Sequence, residues 1–187
     1  MEMNLKKIHS MVLFLMAVTF FIFSEGSAQT ALKETKAPVI THSYAAEKGR
    51  YGSIWRIYLE AEDPEGDMQK IAVVVDQPGY GRYPTDFIIL KPQYKKNLKG
   101  YLQWNTFSSK TRYLREWTQI TLKVSIFNKA GNESNEVVFP FSFETGVGRE
   151  PKPPAPFDQG DIPKLGNIHI DLIEPTMRES IEKRWEK

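Results

Sequence analysis

The stretch SIWRIYLEAEDPEGDMQKIAVVV, residues 53–75, decides the fold. Its first half alternates. Trp55, Ile57, Leu59 and Ala61 fall on one face, and Arg56, Tyr58 and Glu60 fall on the other. A period of two with one apolar face is the mark of a half-buried strand. AEDPEGD, residues 61–67, then supplies Pro and Gly together with four carboxylates, a composition that turns the chain. Apolar character resumes over 70–75, which predicts a second strand.

The same period recurs downstream. In QITLKVSIF, Ile120, Leu122, Val124 and Ile126 face one way, against Gln119, Thr121, Lys123 and Ser125. In EVVFPFSFE, Val137, Phe139, Phe141 and Phe143 alternate with Glu136, Val138, Pro140 and Ser142. Pro140 has no N–H to give a ladder, so that strand belongs at a sheet edge or carries a bulge there. Further strands are predicted over 38–44, 87–91 and 101–104, and no helix between 37 and 146. Seven short strands over about 110 residues, with turn signals between them, predict an all-β chain folded as an antiparallel sandwich.

Two segments carry a resemblance. AEDPEGD resembles the A-x-D-P-D-G-D turn of bacterial Ig-like and cadherin-like domains. LREWTQITLKVSIFNKAGNES, residues 114–134, resembles the late strand and following turn of bacterial Ig-like domains, which often end D-x-A-G-N-x-S. Ala130, Gly131, Asn132 and Ser134 match that ending, and Asn128 stands where an Asp is usual. APVI at 37–40 is similar to the usual opening strand. The resemblance covers roughly 37–146 and implies an Ig-like antiparallel β-sandwich of about seven strands. It implies little about function, because such modules serve many roles.

The ends differ in texture. Lys6 and Lys7 precede a 13-residue apolar run at 11–23, followed by small residues including Gly26 and Ala28. That is the pattern of a secretory signal peptide over 1–28, and the run is short of the roughly 20 residues a spanning helix needs. The expected location is therefore periplasmic or extracellular, with no transmembrane anchor after cleavage. The chain has no Cys, which excludes disulfides and thiolate chemistry. Its net charge of +2 gives no whole-chain attraction to nucleic acid, and none is expected as a partner. After Gly146 the stretch 147–165 is rich in Pro and Gly and reads as an extended linker. The tail 166–187 holds a lone alternating run, Ile168, Ile170 and Leu172. A second group, Met177, Ile181 and Trp185, is spaced by about one helical turn after Pro175. Three fates stay open for this Pro-rich C-terminal extension: folding back, binding another protein, or disorder.

Two groups of residues are candidate sites. In an Ig-like sandwich the AEDPEGD and FNKAGNESN loops share one end, beside the chain entry near Ala37. The resemblance to cadherin-like domains then implies calcium as a possible ligand for Asp63, Glu65, Asp67, Asn128 and Asn132, with Glu62 and Glu133 close by. The competing reading is local, since Asp, Pro, Gly and Asn form turns without a metal. The second group is basic and aromatic. Residues 87–115 hold seven Lys and Arg and no acid, with Tyr94, Tyr101, Trp104, Phe107 and Tyr113 interleaved. Lys95, Lys96 and Lys99, with Tyr80 and Tyr83 of PGYGRYP, could receive an acidic polysaccharide. Otherwise this is a solvated stretch whose lysines guard an edge strand. Only His42 and His169 remain beyond 1–28, with no nucleophile elbow or phosphate loop. The expectation is a non-catalytic binding or structural module of the cell envelope. Its first expected partner is another envelope protein, held through the C-terminal tail.

Overall fold

The computed structural model describes residues 36–110, 114, 118–148 and 151–174. The signal-peptide segment, the Met177–Ile181–Trp185 group and Arg112, Tyr113 and Arg115 lie outside the described residues. Ten strands form: β1 Val39–Ala45, β2 Lys48–Gly49, β3 Ile54–Glu62, β4 Met68–Gln77, β5 Gly81–Arg82, β6 Asp86–Ile89, β7 Asn97–Asn105, β8 Gln119–Asn128, β9 Val137–Phe143 and β10 Lys164–Ile168. One sheet has the order β1-β3-β7-β10. The other runs β2-β9-β8-β4-β5, with β6 also paired to β4. The two face each other as a β-sandwich, as the period-two runs predict, and the Ig-like architecture agrees with the resemblance of the 61–67 and 114–134 segments. The seven expected strands are all present, and β2, β5 and β10 are added.

The alternation becomes burial directly. Trp55, Ile57, Leu59 and Ala61 of β3 line the core with Ile120, Leu122, Val124 and Ile126 of β8 and Phe139, Phe141 and Phe143 of β9. Trp55 and Trp104 sit opposite one another in the nine-residue β3–β7 pairing. Their rings lie 6.0 Å apart, and Phe141 from the other sheet closes on Trp55 at 4.3 Å. Buried indoles need acceptors. Trp55 Nε1 donates to the Ala46 carbonyl at 2.8 Å, and Trp104 Nε1 to the Ile170 carbonyl at 3.0 Å. Pro140 lies opposite Thr121 of β8. On its other side β9 meets only β2, at Ser142 and Phe143. Pro140 is thus at an open edge, where its missing N–H leaves no gap in a ladder.

Two expectations need correction. The sandwich is not purely antiparallel, because β10 runs parallel to β7 and β2 parallel to β9. The stretch 147–165 is also more than a linker, and of the three fates left open for the extension its described part, to Glu174, folds back. Phe157 is buried against Tyr58 on the outer face of the first sheet, ring centroids 5.5 Å apart. Leu165, Ile168, Ile170 and Leu172 enter the core. The segment then crosses to the second sheet. The Leu172 carbonyl accepts from Ser108 Oγ at 2.6 Å, the Ile173 amide donates to Tyr83 Oη at 2.9 Å, and the Ile173 carbonyl accepts from Gln77 Nε2 at 3.0 Å. Gly100 admits this strand, since a Cβ there would lie 2.6 Å from the Leu165 side chain and 2.7 Å from the Pro163 carbonyl. An isolated Gly within a strand often marks such a close approach.

Leu172→Ala is expected to cost about 2–5 kcal/mol, as for other fully buried leucines. A chain ending at Gly148 should lose cooperative unfolding, whereas one ending at Glu174 should melt like the parent. Urea or thermal unfolding followed by circular dichroism checks both.

Candidate functional site

The AEDPEGD turn joins β3 to β4 between the two sheets. Asp63 is 1% exposed. Its Oδ1 accepts from the Glu65 amide and its Oδ2 from the Asp67 amide, each at 3.0 Å. The Gly66 amide returns to the Asp63 carbonyl at 3.1 Å, and Gly66 takes φ 70°, a left-handed conformation that suits glycine. The carboxylate therefore holds the turn in shape from within.

The FNKAGNES loop is built in the same way around Asn128, also 1% exposed. Asn128 Oδ1 accepts from the Asn132 amide at 2.9 Å, and Nδ2 donates to the Lys36 carbonyl at 3.0 Å. An Asp at this position could make the first bond but not the second, because a carboxylate has no N–H to give. The departure from the usual motif thus ties the loop to the entering chain. Lys129 donates its amide to the Asp67 carbonyl at 3.1 Å, which brings the two loops together at one end as expected.

As placed, Asp63 and Asn128 act as turn caps. Asp63 and Asn128 spend their side-chain atoms on backbone. Among the described residues no three Asp, Glu, His or Cys side chains are grouped to hold one ion. Asp67 is the exception in chemistry. Burial, then hydrogen bonding and charge from the neighbouring Asp63, push its carboxyl above the ordinary value, opposed by Lys129. One of its oxygens, Oδ1, is buried without a hydrogen-bond partner.

The basic stretch does not form a separate pole of the domain. The Lys96 carbonyl accepts from the Asp63 amide at 2.9 Å and the Lys95 carbonyl from the Met68 amide at 3.0 Å. Lys95 and Lys96 therefore border the acidic turn. Lys99 lies apart on the outer face of the first sheet, its ammonium 6.0 Å from the Phe157 ring. Of the two tyrosines expected to present themselves to a ligand, Tyr83 is buried at 4% exposure. It stacks on Tyr80 at 4.4 Å and bonds Gln77 Oε1 at 2.6 Å. Burial pushes its phenol up to about 12, against the stabilising Ile173 amide. Tyr83 is a structural latch for the C-terminal segment.

The histidines do not converge. His42 Nδ1 is 3.5 Å from Glu60 and His169 Nδ1 is 3.7 Å from Asp86; His42 lies on β1 and His169 just after β10, at opposite edges of the first sheet. A groove of about 570 Å³ opens where β1 and β9 diverge and is lined by Tyr44, Ala46, Phe139, Pro140 and Val147. Toward its other end Asn135 bridges the two sheets. Its Oδ1 accepts from the Ile40 amide at 2.8 Å and its Nδ2 donates to the Ile40 carbonyl at 3.1 Å. Nothing in the sequence pattern marked Asn135 for this role, since its partner is 95 residues away.

No family model matches this chain. No curated protein matches it either. Among solved structures it is similar to the PKD domain of an M14-like peptidase from Thermoplasmatales archaeon SCGC AB-540-F20, at 14% identity and a TM-score of 0.39, over 59% of this chain and 99% of that one. It is also similar to a CARDB domain from Pyrococcus furiosus solved in complex with di-metal ions, at 12% identity and a TM-score of 0.33, over 59% of this chain and 90% of that one. The order of the chain's own strands in two facing sheets makes it an Ig-like β-sandwich.

Asp67 yields a signed prediction. Its raised folded-state value favours the protonated form, so its contribution to stability is present in acid and is lost as pH rises through that value. Asp67→Asn removes the charge, and both backbone bonds at residue 67 remain available. It should raise the melting temperature at neutral pH, with the gain fading toward about pH 4, near the unfolded carboxylate value. Thermal melts across that range check this.

Proposed function

We propose that this chain is an exported, non-catalytic binding module of the cell envelope that holds another envelope protein through its extreme C-terminus. The observation that carries the reading is how much of the C-terminal extension the sandwich already uses. Residues up to Glu174 are committed to the core and to bonds with Tyr83, Gln77 and Ser108. The connector is therefore narrower than the whole extension and reduces to residues 175–187, with Met177, Ile181 and Trp185 as its apolar positions. Three apolar side chains at helical spacing are the kind of anchor a partner groove reads.

Other features support the non-catalytic half. The interior is filled by apolar side chains. The buried carboxylate of Asp63 serves its own turn. The two histidines sit singly at the surface beside one acid each. Export is supported by the lysine-led apolar run at 11–23. No helix among the described residues is long and apolar enough to cross a membrane. The polysaccharide reading loses ground, because Lys95 and Lys96 share their end of the domain with Glu62, Asp63, Glu65 and Asp67.

Ending the chain at Glu174 is the test. The truncated protein should fold and should no longer co-purify with the envelope protein that the full chain retains after crosslinking in cells. Retention of the same protein by the truncated chain would refute the tail as connector.

A further inference from the structure

The outer face of the six-stranded sheet bears a row of side chains that point away from the core. The pairing registers set Ile89 of β6 beside Lys70 of β4, and Lys70 beside Phe127 of β8. Phe127 is in turn bridged to Glu133. Their strand neighbours Ile71, Ile88 and Ile126 point into the core, so all four side chains point out. The β6 end of the row is apolar and exposed. Ile89 is 68% exposed, and Phe87 on the same strand is 48% exposed.

The charges on this face are not equivalent. Asp76 is paired with Arg82 at 2.9 Å and Lys123 at 3.3 Å. Lys70 has no carboxylate partner among the described residues. Its ammonium lies 4.4 Å from the Phe87 ring centre and 5.4 Å from that of Phe127, where the ring faces attract it. Glu133 is exposed and has no cation beside it among the described residues; its Oε1 accepts from Ser125 Oγ at 2.6 Å. A cation held on aromatic rings and a carboxylate held on a hydroxyl thus flank Phe127 on opposite sides, about one strand spacing away each.

We infer that this face is a contact between two copies of the chain. A two-fold axis lying in the interface, parallel to β8 and passing over Phe127, brings two such faces together and exchanges the two sides of the row. It sets Lys70 of one copy over Glu133 of the other, twice, with the two Phe127 rings between. An isologous contact requires a patch that is complementary to itself, and a cation and an anion placed symmetrically about an apolar centre meet that condition. An acidic partner of another kind would be repelled by Glu133, and a basic one by Lys70. The contact is independent of residues 175–187 and goes beyond the proposed function.

Sedimentation velocity on the full chain over a concentration series tests this. A monomer–dimer equilibrium is expected. Lys70→Glu and Glu133→Lys should each weaken it by about tenfold or more, since each turns two attractions into two repulsions. The double variant Lys70→Glu/Glu133→Lys should recover it, a restoration that only folded protein can show. Truncation at Glu174 should leave it unchanged, so this contact and the tail connector fail separately. A monomer at every concentration overturns the inference, as does a dimer indifferent to both single changes or a double variant that fails to recover.

Discussion

The hydrogen bond from the Trp104 indole to the Ile170 carbonyl joins the two halves of this protein's architecture. Trp104 is wholly buried at the centre of β7. Its N–H must find an acceptor there, because an unpaired buried donor costs about 1–3 kcal/mol. No neighbouring strand side chain supplies one. The acceptor comes from a segment 66 residues later in the chain, after a Pro-rich crossing. The same segment places Ile168, Ile170 and Leu172 in the core and offers its backbone to Ser108, Tyr83 and Gln77. It begins in one sheet and ends against the other, so it closes one open side of the sandwich.

The opposite side is closed with fewer groups. Asn135 reaches from the approach to β9 and bonds both the amide and the carbonyl of Ile40, as a neighbouring strand would. Beyond that clasp β1 and β9 part, and the groove lined by Tyr44 and Phe139 opens between them. The sandwich thus has one side sealed by a strand and one pinned at a point. The loop end follows a similar economy. Asp63 and Asn128 each convert a buried polar side chain into the internal support of a turn. Lys95, Lys96 and Lys129 bring the surrounding segments against those turns through backbone bonds.

These arrangements explain why the candidate sites changed character. Acidic residues in AEDPEGD suggest a ligand when counted along the chain. In space the most buried of them points inward and serves amides of its own loop. Tyr80 and Tyr83 suggest presentation, with Pro and Gly about them. In space Tyr83 turns inward because an amide of the C-terminal segment needs its oxygen. The basic run reads as one face, yet a β-strand sends alternate residues to opposite sides and a bend precedes β7. Lys95 and Lys96 end beside the acids, and Lys99 lies on a sheet face beside Phe157. Lys70 and Glu133, which lack ionic partners among the described residues, come from unremarkable positions, one in β4 and one in the loop after β8.

What the sequence determined by itself was everything with a short period. Alternation in 54–61, 119–126 and 137–143 fixes which side chains face inward, because successive strand residues point to opposite faces wherever the strand is placed. The Asp63 and Gly131 turns were legible for the same reason: a side chain bonding an amide two residues on, or a glycine at positive φ, is local chemistry. Tertiary structure alone decided where 164–174 goes. Five apolar residues after a Pro-rich stretch carry no mark of their destination, which depends on an unsatisfied indole and on Gly100, whose missing Cβ leaves room for Leu165. It also decided the Asn135 clasp, the inward turn of Tyr83 and the Lys70–Phe127–Glu133 row. Each joins residues far apart in sequence through the register of strands, and register is set by the whole core rather than by any one segment.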